Sequence, residues 1–112
     1  MKNIYEGEVW FVEFPYEENP TILSKRPVIV LDTDNLNVLS VKVTTHKVRE
    51  KDEFDTPIIY WKEAKLRFAS TARISKVLNL HRDNFIHKIG DLHPDDLDAI
   101  SNAYIAFMES IK

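Results

Sequence analysis

The clearest pattern in the chain is a stripe of apolar residues at helical spacing near its end. Pro94 suits the first position of a helix, and Asp95 and Asp96 suit its positive N-terminal end. His93, directly before Pro94, is expected to act locally at the helix start. The apolar positions recur every three or four residues, and they are Leu97, Ile100, Ala103, Tyr104, Phe107, Met108 and Ile111. The pattern predicts a C-terminal helix whose stripe packs on a core.

Shorter segments upstream of this helix are rich in β-branched and aromatic residues, which is typical of strands. The run 27–31 is almost continuously apolar, as expected for a strand that is buried on both faces. Further along, Val41 and Val43 point to one face, and Lys42 and Thr44 point to the other. The predicted strands span residues 7–14, 27–31, 38–45, 56–60 and 72–80.

The segments between these strands predict turns and loops. Residues 16–20 and the charged stretch 47–55 are expected to be loops, 32–35 a turn, and 61–64 a single helical turn. Several short strands followed by one long helix predict an α+β fold, a curled antiparallel sheet that is capped by the helix. The 112 residues are enough for one domain, which we expect to span 1–112.

Composition narrows the class of protein. Hydrophobic residues make up 44% of the chain and charged residues 29%, which excludes a disordered chain. The absence of cysteine excludes disulfides, thiol catalysis and thiolate zinc sites. No apolar run approaches the roughly 18 residues of a membrane span, and the start lacks the apolar stretch of a signal peptide. We therefore expect a cytoplasmic protein with no membrane partner.

The net charge of −3 is unevenly distributed along the chain. Residues 42–76 contain nine Lys or Arg and five Asp or Glu, a local balance of +4, so the remainder carries −7. A basic middle segment is suited to a polyanion. The alternative is an ordinary solvated surface of mixed charge.

Several common kinds of functional site are excluded by the sequence. Among the histidines, His81, His87 and His93 are six residues apart and share no helix face, and along a strand they exceed the reach of one metal ion. Two glycines cannot supply a phosphate-binding loop, and no Gly-x-Ser-x-Gly motif occurs. We therefore expect neither a metal site nor a nucleotide hydrolase of these kinds.

Polar residues at the predicted strand ends are the remaining candidates. Arg26 precedes a buried strand, where its planar fork suits a phosphate. Thr44 and His46 close another strand with groups that bind a phosphate oxygen and transfer a proton. Ser70 and Arg73 are nearby in a third segment. Each also has a plain explanation, such as a surface ion pair, strand propensity or a loop hydrogen bond.

The order of these segments resembles the PemK/MazF family, the toxin halves of bacterial toxin–antitoxin pairs. Residues 7–14, 25–31 and 41–45 resemble its opening. Residues 57–66 and 89–92 resemble its PemK-like branch. The resemblance runs from Gly7 to about Phe107. It implies a small SH3-like β-barrel of short, mostly antiparallel strands with a C-terminal helix.

The resemblance also implies a function and partners. Many family members form homodimers, are inhibited by a cognate antitoxin, and cleave single-stranded mRNA without a metal or cofactor by attack of the ribose 2′-OH. The catalytic arginine and threonine of the family fall on Arg26 and Thr44, and a second arginine on Arg73. The acidic position three residues before Arg73 holds Ser70. The remaining expected RNA contacts are Lys25, Thr45, Lys47, Ser70, Thr71 and Lys76.

The missing acid leaves two questions open. His46 is a candidate proton carrier, because it lies two residues beyond Thr44 and on the same strand face if the strand continues; the alternative is a loop histidine. The same barrel is also used by CcdB-like toxins, which bind DNA gyrase and perform no chemistry. A non-catalytic toxin or binding module is therefore the alternative function, and a plain structural domain is a third.

Overall fold

The structure, a computed structural model, describes residues 2–15, 19, 21–45 and 52–112. In that part of the chain, six antiparallel strands form one sheet in the order β4-β5-β3-β2-β1-β6, and one helix follows. The elements are β1 (Glu8–Pro15), β2 (Leu23–Thr33), β3 (Asn37–Thr44), β4 (Asp55–Ile58), β5 (Ser70–His81), β6 (Phe85–Asp91) and α1 (Pro94–Ser110). The α+β prediction is confirmed. The described sheet is not closed, but its order is compatible with a barrel-like fold.

The sheet buries apolar side chains on both of its faces. One face packs against α1, and this helix-side cluster includes Ile29, Val41 and Ile100. The other face carries a second cluster that includes Val28 and Phe85. Strand β2 thus contributes neighbouring residues to both clusters, which confirms that its apolar run is buried on both faces.

The helix begins as the sequence predicts. The Nδ1 atom of His93 accepts a hydrogen bond from the backbone N–H of Asp95 at 3.0 Å, so His93 is the N-cap before Pro94. Asp96 has a further role, because its carboxylate is buried and accepts the backbone N–H groups of Ile59 and Tyr60 at 3.0 and 2.9 Å. This carboxylate ties the turn after β4 to the start of α1.

The apolar stripe of α1 packs on the helix-side cluster as far as Phe107 and is exposed beyond it. Ile100 is fully buried, whereas Met108 and Ile111 near the end of the helix are exposed. Among the described residues, no helix has the length and apolar character needed to cross a bilayer. The stripe therefore faces a core over part of its length only.

The turn between β4 and β5 is held against β6 by a close backbone contact. A Cβ atom at Gly90 would lie 2.2 Å from the carbonyl oxygen of Ala64, so only glycine allows this approach. Lys65 next to it has a positive φ of 63°. The predicted helical turn is present, because the N–H of Ala64 donates to the carbonyl of Tyr60 at 3.2 Å.

Candidate nucleic-acid interface

A groove of about 730 Å³ lies at the end of the sheet where β2 begins and β3 ends. Strands β1, β2, β3, β5 and β6 contribute to its walls, together with residues 65–68. No carboxylate lines it among the described residues. Its cationic residues are Lys25, Arg26, Lys65, Arg67 and Lys88. A concave surface of one charge sign attracts a polyanion.

The pairing of β2 with β1 places Arg26 at this groove. Arg26 lies opposite Val12, directly before Pro27, and it is half-buried. Its guanidinium forms no ion pair or hydrogen bond with any residue that the structure describes. The planar fork of N–H donors is therefore available to a ligand, and such a fork can donate two parallel hydrogen bonds to a phosphate.

The strand register brings Arg26 and Thr44 to the same end and the same face of the sheet. Lys42 of β3 lies opposite Val28 of β2. Thr44 and Arg26 each lie two residues further toward the groove, and residues two apart in a strand share a face. Thr44 also lines the groove. The two residues that the family resemblance singles out are therefore neighbours in space.

Strand β5 adds Thr71 and Arg73 to this face. Thr71 lies opposite Thr44, and Arg73 lies opposite Lys42. The Nε atom of Arg73 is 3.4 Å from Oδ1 of Asp55, its neighbour on β4. A carboxylate thus lies beside Arg73. It belongs to Asp55 on β4, whereas the family resemblance places the acidic residue at position 70, on β5. Neither Thr71 nor Arg73 lines the groove itself.

The other predicted contacts are distributed around these residues. Lys25, Thr45 and Ser70 line the groove, and Lys25 and Thr45 are exposed. Ser70 is buried, and its hydroxyl donates to the carbonyl of Phe68 at 2.7 Å, so it orders the groove wall. Lys76 is exposed and lies outside the groove. His46 and Lys47 lie outside the described residues.

Sequence reasoning missed a group of groove residues on two segments. Residues 65–68 supply Lys65, Arg67 and Phe68, and the Phe68 side chain is 65% exposed. Strand β6, which was not predicted, supplies His87 and Lys88. Basic residues beside an exposed aromatic residue are a usable signal for nucleic-acid binding in the first segment. The second segment has no such signal.

Lys88 differs from the other groove cations because it is bound within the protein. Its Nζ lies 2.8 Å from the Glu8 carboxylate and 3.0 Å from Asp91, and these contacts raise the pKa of Lys88. Burial disfavours the charge of Glu8. Hydrogen bonds from Lys88, from Trp10 Nε1 at 3.0 Å and from the N–H of Tyr5 at 2.7 Å outweigh burial and lower the pKa of Glu8. Lys88 therefore fastens β6 to β1.

Metal chemistry has no candidate site in the described part of the chain. No group of three or more histidine or carboxylate side chains there is arranged to hold a metal ion. The functional groups of the groove are cations, hydroxyls, aromatic rings and one imidazole.

A family comparison matches nearly the whole chain. The family described as "PemK-like, MazF-like toxin of type II toxin-antitoxin system" matches residues 5–108. This range agrees with the resemblance that the sequence motifs indicated. A comparison with curated protein sequences returned no significant match.

Solved structures with similar folds have low sequence identity to the chain. An endoribonuclease in complex with its cognate antitoxin, from a mycobacterial species, is 13% identical with a TM-score of 0.74, over 96% of each chain. The toxin MazF-mt6 of Mycobacterium tuberculosis is 17% identical with a TM-score of 0.64, over 89% of this chain and 96% of the toxin. MazF with MazE from Deinococcus radiodurans is 11% identical with a TM-score of 0.66, over 96% and 97%. These similarities concern the fold.

Proposed function

Because the chain belongs to the family of PemK-like, MazF-like toxins of type II toxin–antitoxin systems, we propose that it is a metal-independent endoribonuclease acting on single-stranded mRNA. The observation that carries this proposal is the groove in which Arg26, without an internal partner among the described residues, lies beside Thr44. A gyrase-directed binding protein has no comparable need for an unpaired arginine beside a hydroxyl. The endoribonucleases among the similar folds also favour the catalytic function.

The proposed reaction is an attack of a ribose 2′-OH on the adjacent phosphate. The O2′–P bond forms and the P–O5′ bond breaks, which leaves a 2′,3′-cyclic phosphate and a free 5′-hydroxyl. Arg26 stabilises the charge that develops on the phosphorane oxygens, and Thr44 positions one of these oxygens. Stabilisation of developing charge by fixed donors is usually the largest contribution to such catalysis.

Arg73 is proposed to add a second source of positive charge. It faces Lys42 on the sheet face that also carries Arg26 and Thr44. Asp55 contacts the Nε side of its guanidinium, which leaves the two Nη groups for a phosphate. Asp55 is therefore proposed to orient Arg73.

The groove favours a single strand over a duplex. The exposed ring of Phe68 offers a stacking platform, and unpaired bases stack on aromatic side chains whatever their identity. Lys25, Lys65 and Arg67 supply positive charge along the same groove. Lys25, Thr45 and Ser70 are accordingly proposed as RNA contacts, and Thr71 and Lys76 as contacts beyond the groove.

Two protein partners and a compartment complete the proposal. We propose a homodimer, because Ile105 and Met108 of α1 and Ile111 directly after it leave apolar surface exposed. A cognate antitoxin is proposed from family membership. The substrate places the activity in the cytoplasm. Light scattering that shows a monomer at micromolar concentration contradicts the homodimer.

The direct test is cleavage of a defined single-stranded RNA in the presence of EDTA. We expect products with 2′,3′-cyclic phosphate and 5′-hydroxyl ends. Arg26→Ala, purified in the same way, controls for contaminating ribonuclease, since such a contaminant is unaffected by the substitution. Thr44→Val keeps the shape and strand propensity but removes the hydroxyl, and it should cleave more slowly. RNA that stays intact with the parent protein, over a panel of sequences, contradicts the proposal.

A further inference from the structure

We propose that His87 is the general base of the groove, and this inference rests on the proposed ribonuclease function. Its Nε2 atom accepts the proton of the attacking ribose 2′-hydroxyl. The family resemblance leaves the proton acceptor open, because Ser70 occupies the acidic position. His87 belongs to strand β6, which sequence reasoning did not identify.

The fold fixes the position of the His87 ring. His87 lies opposite Phe11 in the pairing of β6 with β1, and both residues line the groove. The two rings are stacked, with centroids 5.4 Å apart and planes 27° apart. Because one side of the imidazole rests on Phe11, the ring is oriented even though the residue is exposed. A catalytic group needs this kind of orientation before the substrate arrives.

The hydrogen bonding of the ring assigns the proton acceptor. Nδ1 of His87 lies 3.3 Å from the backbone carbonyl oxygen of Lys88. A carbonyl oxygen only accepts, so Nδ1 carries the proton in the neutral ring and donates it. Nε2 then holds the lone pair, and it has no hydrogen-bond partner among the described residues. This tautomer is the one that a base at Nε2 requires.

No other group that the structure places in the groove is suited to accept a proton. The charged groups there are the cations of Lys25, Arg26, Lys65, Arg67 and Lys88, and ammonium and guanidinium groups are hydrogen-bond donors without an acceptor. The remaining polar groups are hydroxyls, which are weak bases. Imidazole is the side chain whose ordinary titration range makes it an effective base at neutral pH.

Two of the other histidines accept hydrogen bonds that stabilise local structure. Nδ1 of His93 caps α1, and Nδ1 of His81 accepts the N–H of Asp83 at 3.1 Å, at the opposite end of the sheet from the groove. His46, the fourth histidine, lies outside the described residues and is a competitor for the role. The chain thus offers both a control, His81, and a rival, His46.

The proton balance of the step is complete with water. The 2′-hydroxyl proton moves to Nε2 as the O2′–P bond forms, and the P–O5′ bond breaks. Water protonates the departing 5′-oxygen, and the resulting hydroxide takes the proton back from the imidazolium. The products are the cyclic phosphate and the 5′-hydroxyl, and His87 is regenerated.

The test is single-turnover cleavage by His87→Gln. We expect the rate to fall by roughly 10²- to 10⁴-fold, the usual contribution of a general base, while RNA affinity and melting temperature stay near those of the parent. Added imidazole should restore part of the rate of a smaller variant, His87→Ala. His87→Phe keeps the ring stacking on Phe11 without a proton acceptor, so it carries the test if the glutamine variant is unstable. His81→Gln is the matched control and should cleave like the parent.

A substrate with sulfur in place of the bridging 5′-oxygen distinguishes a general base from a general acid. Its thiolate leaves without protonation, so a variant that lacks a general acid recovers on this substrate and a variant that lacks the base does not. Recovery of His87→Gln overturns the proposal, as does a parent-like rate on ordinary RNA. A large loss in His46→Gln with none in His87→Gln assigns the role to His46. If the parent itself leaves all RNA intact, the proposed function and this inference both fail.

Discussion

The two ends of the sheet each carry a prominent arginine, and the two arginines are used in opposite ways. At the end away from the groove, Arg82 donates from Nε to the carbonyl of Asp34 at 2.9 Å, from Nη1 to the carbonyl of Lys2 at 3.3 Å, and from Nη2 to the hydroxyl of Thr33. At the groove end, Arg26 has no such partner among the described residues. An arginine that donates three hydrogen bonds within the protein stabilises the fold, whereas a half-buried arginine with no such bonds is available to a ligand.

The carboxylates show the same division. Asp34 accepts the N–H groups of Asn37 and Leu36 at 2.7 and 2.8 Å, and these hydrogen bonds, with a smaller contribution from nearby Arg82, lower the pKa of Asp34. No described carboxylate lines the groove. The end with Arg82 therefore has its charges paired within the protein. Of the groove cations, Lys25, Arg26, Lys65 and Arg67 have no carboxylate partner among the described residues, which favours an anionic ligand.

The largest effect expected from this comparison is on Arg26. Arg26→Ala should slow RNA cleavage by roughly 10²- to 10³-fold, because it removes the donor proposed to stabilise the transition state. The free energy of unfolding should change by about 1 kcal/mol or less, since no described hydrogen bond or ion pair is lost. Arg26→Lys should recover only part of the rate, because an ammonium lacks the two-pronged contact. Cleavage kinetics measure the rates, and thermal melting measures the stability. An Arg26→Ala protein that melts and cleaves like the parent contradicts a catalytic role for Arg26.

The next effect concerns Phe68 at the groove. Phe68→Ala should weaken binding of single-stranded RNA by about 2 kcal/mol, or roughly 30-fold in Kd, because one stacked base loses its platform. Phe68→Leu keeps an apolar side chain without the ring and serves as the matched control. Fluorescence anisotropy with a labelled oligonucleotide measures the affinity. Equal affinities for all three proteins would remove Phe68 from the interface.

Arg82 should show the reverse pattern. Arg82→Ala removes three hydrogen bonds in a partly exposed position and should lower the free energy of unfolding by about 1 to 2 kcal/mol. At a temperature where the variant is folded, its cleavage rate should equal that of the parent. Urea unfolding paired with cleavage kinetics tests this. An Arg82→Ala protein that is as stable as the parent but cleaves slowly would contradict a structural role for Arg82.

The salt dependence of RNA affinity should also distinguish the two ends of the sheet. Each phosphate contact on a single strand contributes a slope of roughly 0.7 to the log–log dependence of affinity on salt, and we expect a total of about −2 to −4. Arg67→Ala should reduce the slope by about one contact, equal to roughly a threefold change between about 50 and 200 mM salt. Arg82→Ala should leave the slope unchanged. Binding without any salt dependence is incompatible with phosphate contacts.

The smallest expected effect is the loss of stability under acid at the end of the sheet that carries Arg82. The pKa of Asp34 in the folded protein lies below its ordinary value of 3.8, so its stabilising contribution is present above pH 3.8 and is lost as the pH falls through the lowered value. Asp34→Asn should therefore be less stable than the parent near neutral pH, and the difference should shrink under acid. Urea unfolding between about pH 2 and 6 measures it. A difference that stays constant with pH contradicts the role of the ionised carboxylate.

Local sequence patterns predicted the elements that are stabilised by contacts between residues close together along the chain. The C-terminal helix, its cap and the doubly buried β2 were predicted because periodicity and cap residues act over one or two turns. Strand β6 was missed, because it lies at an edge of the sheet and only Phe85 and Gly90 in it are buried. An edge strand of this kind has no apolar alternation to detect.

Two residues of the candidate site, Arg26 and Thr44, were predicted both from their places at strand ends and from the family resemblance. Their proximity in space depends on strand register, which no local pattern gives. The carboxylate beside Arg73 belongs to Asp55, which is 18 residues away along the chain, and no local pattern reveals such a pair. His87 reaches the groove only because β6 pairs with β1, a contact between distant segments.

The contact between Gly90 and Ala64 has a consequence for the entropy of binding. The turn that leads into Lys65 and Phe68 is held at Ala64 by this contact and at its start by the Asp96 carboxylate. In the proposed RNA complex, binding therefore orders few protein torsions there, and most of the lost conformational freedom is that of the RNA strand. Among RNAs that make the same contacts, we expect those that are stiffer and more extended in solution to bind more tightly.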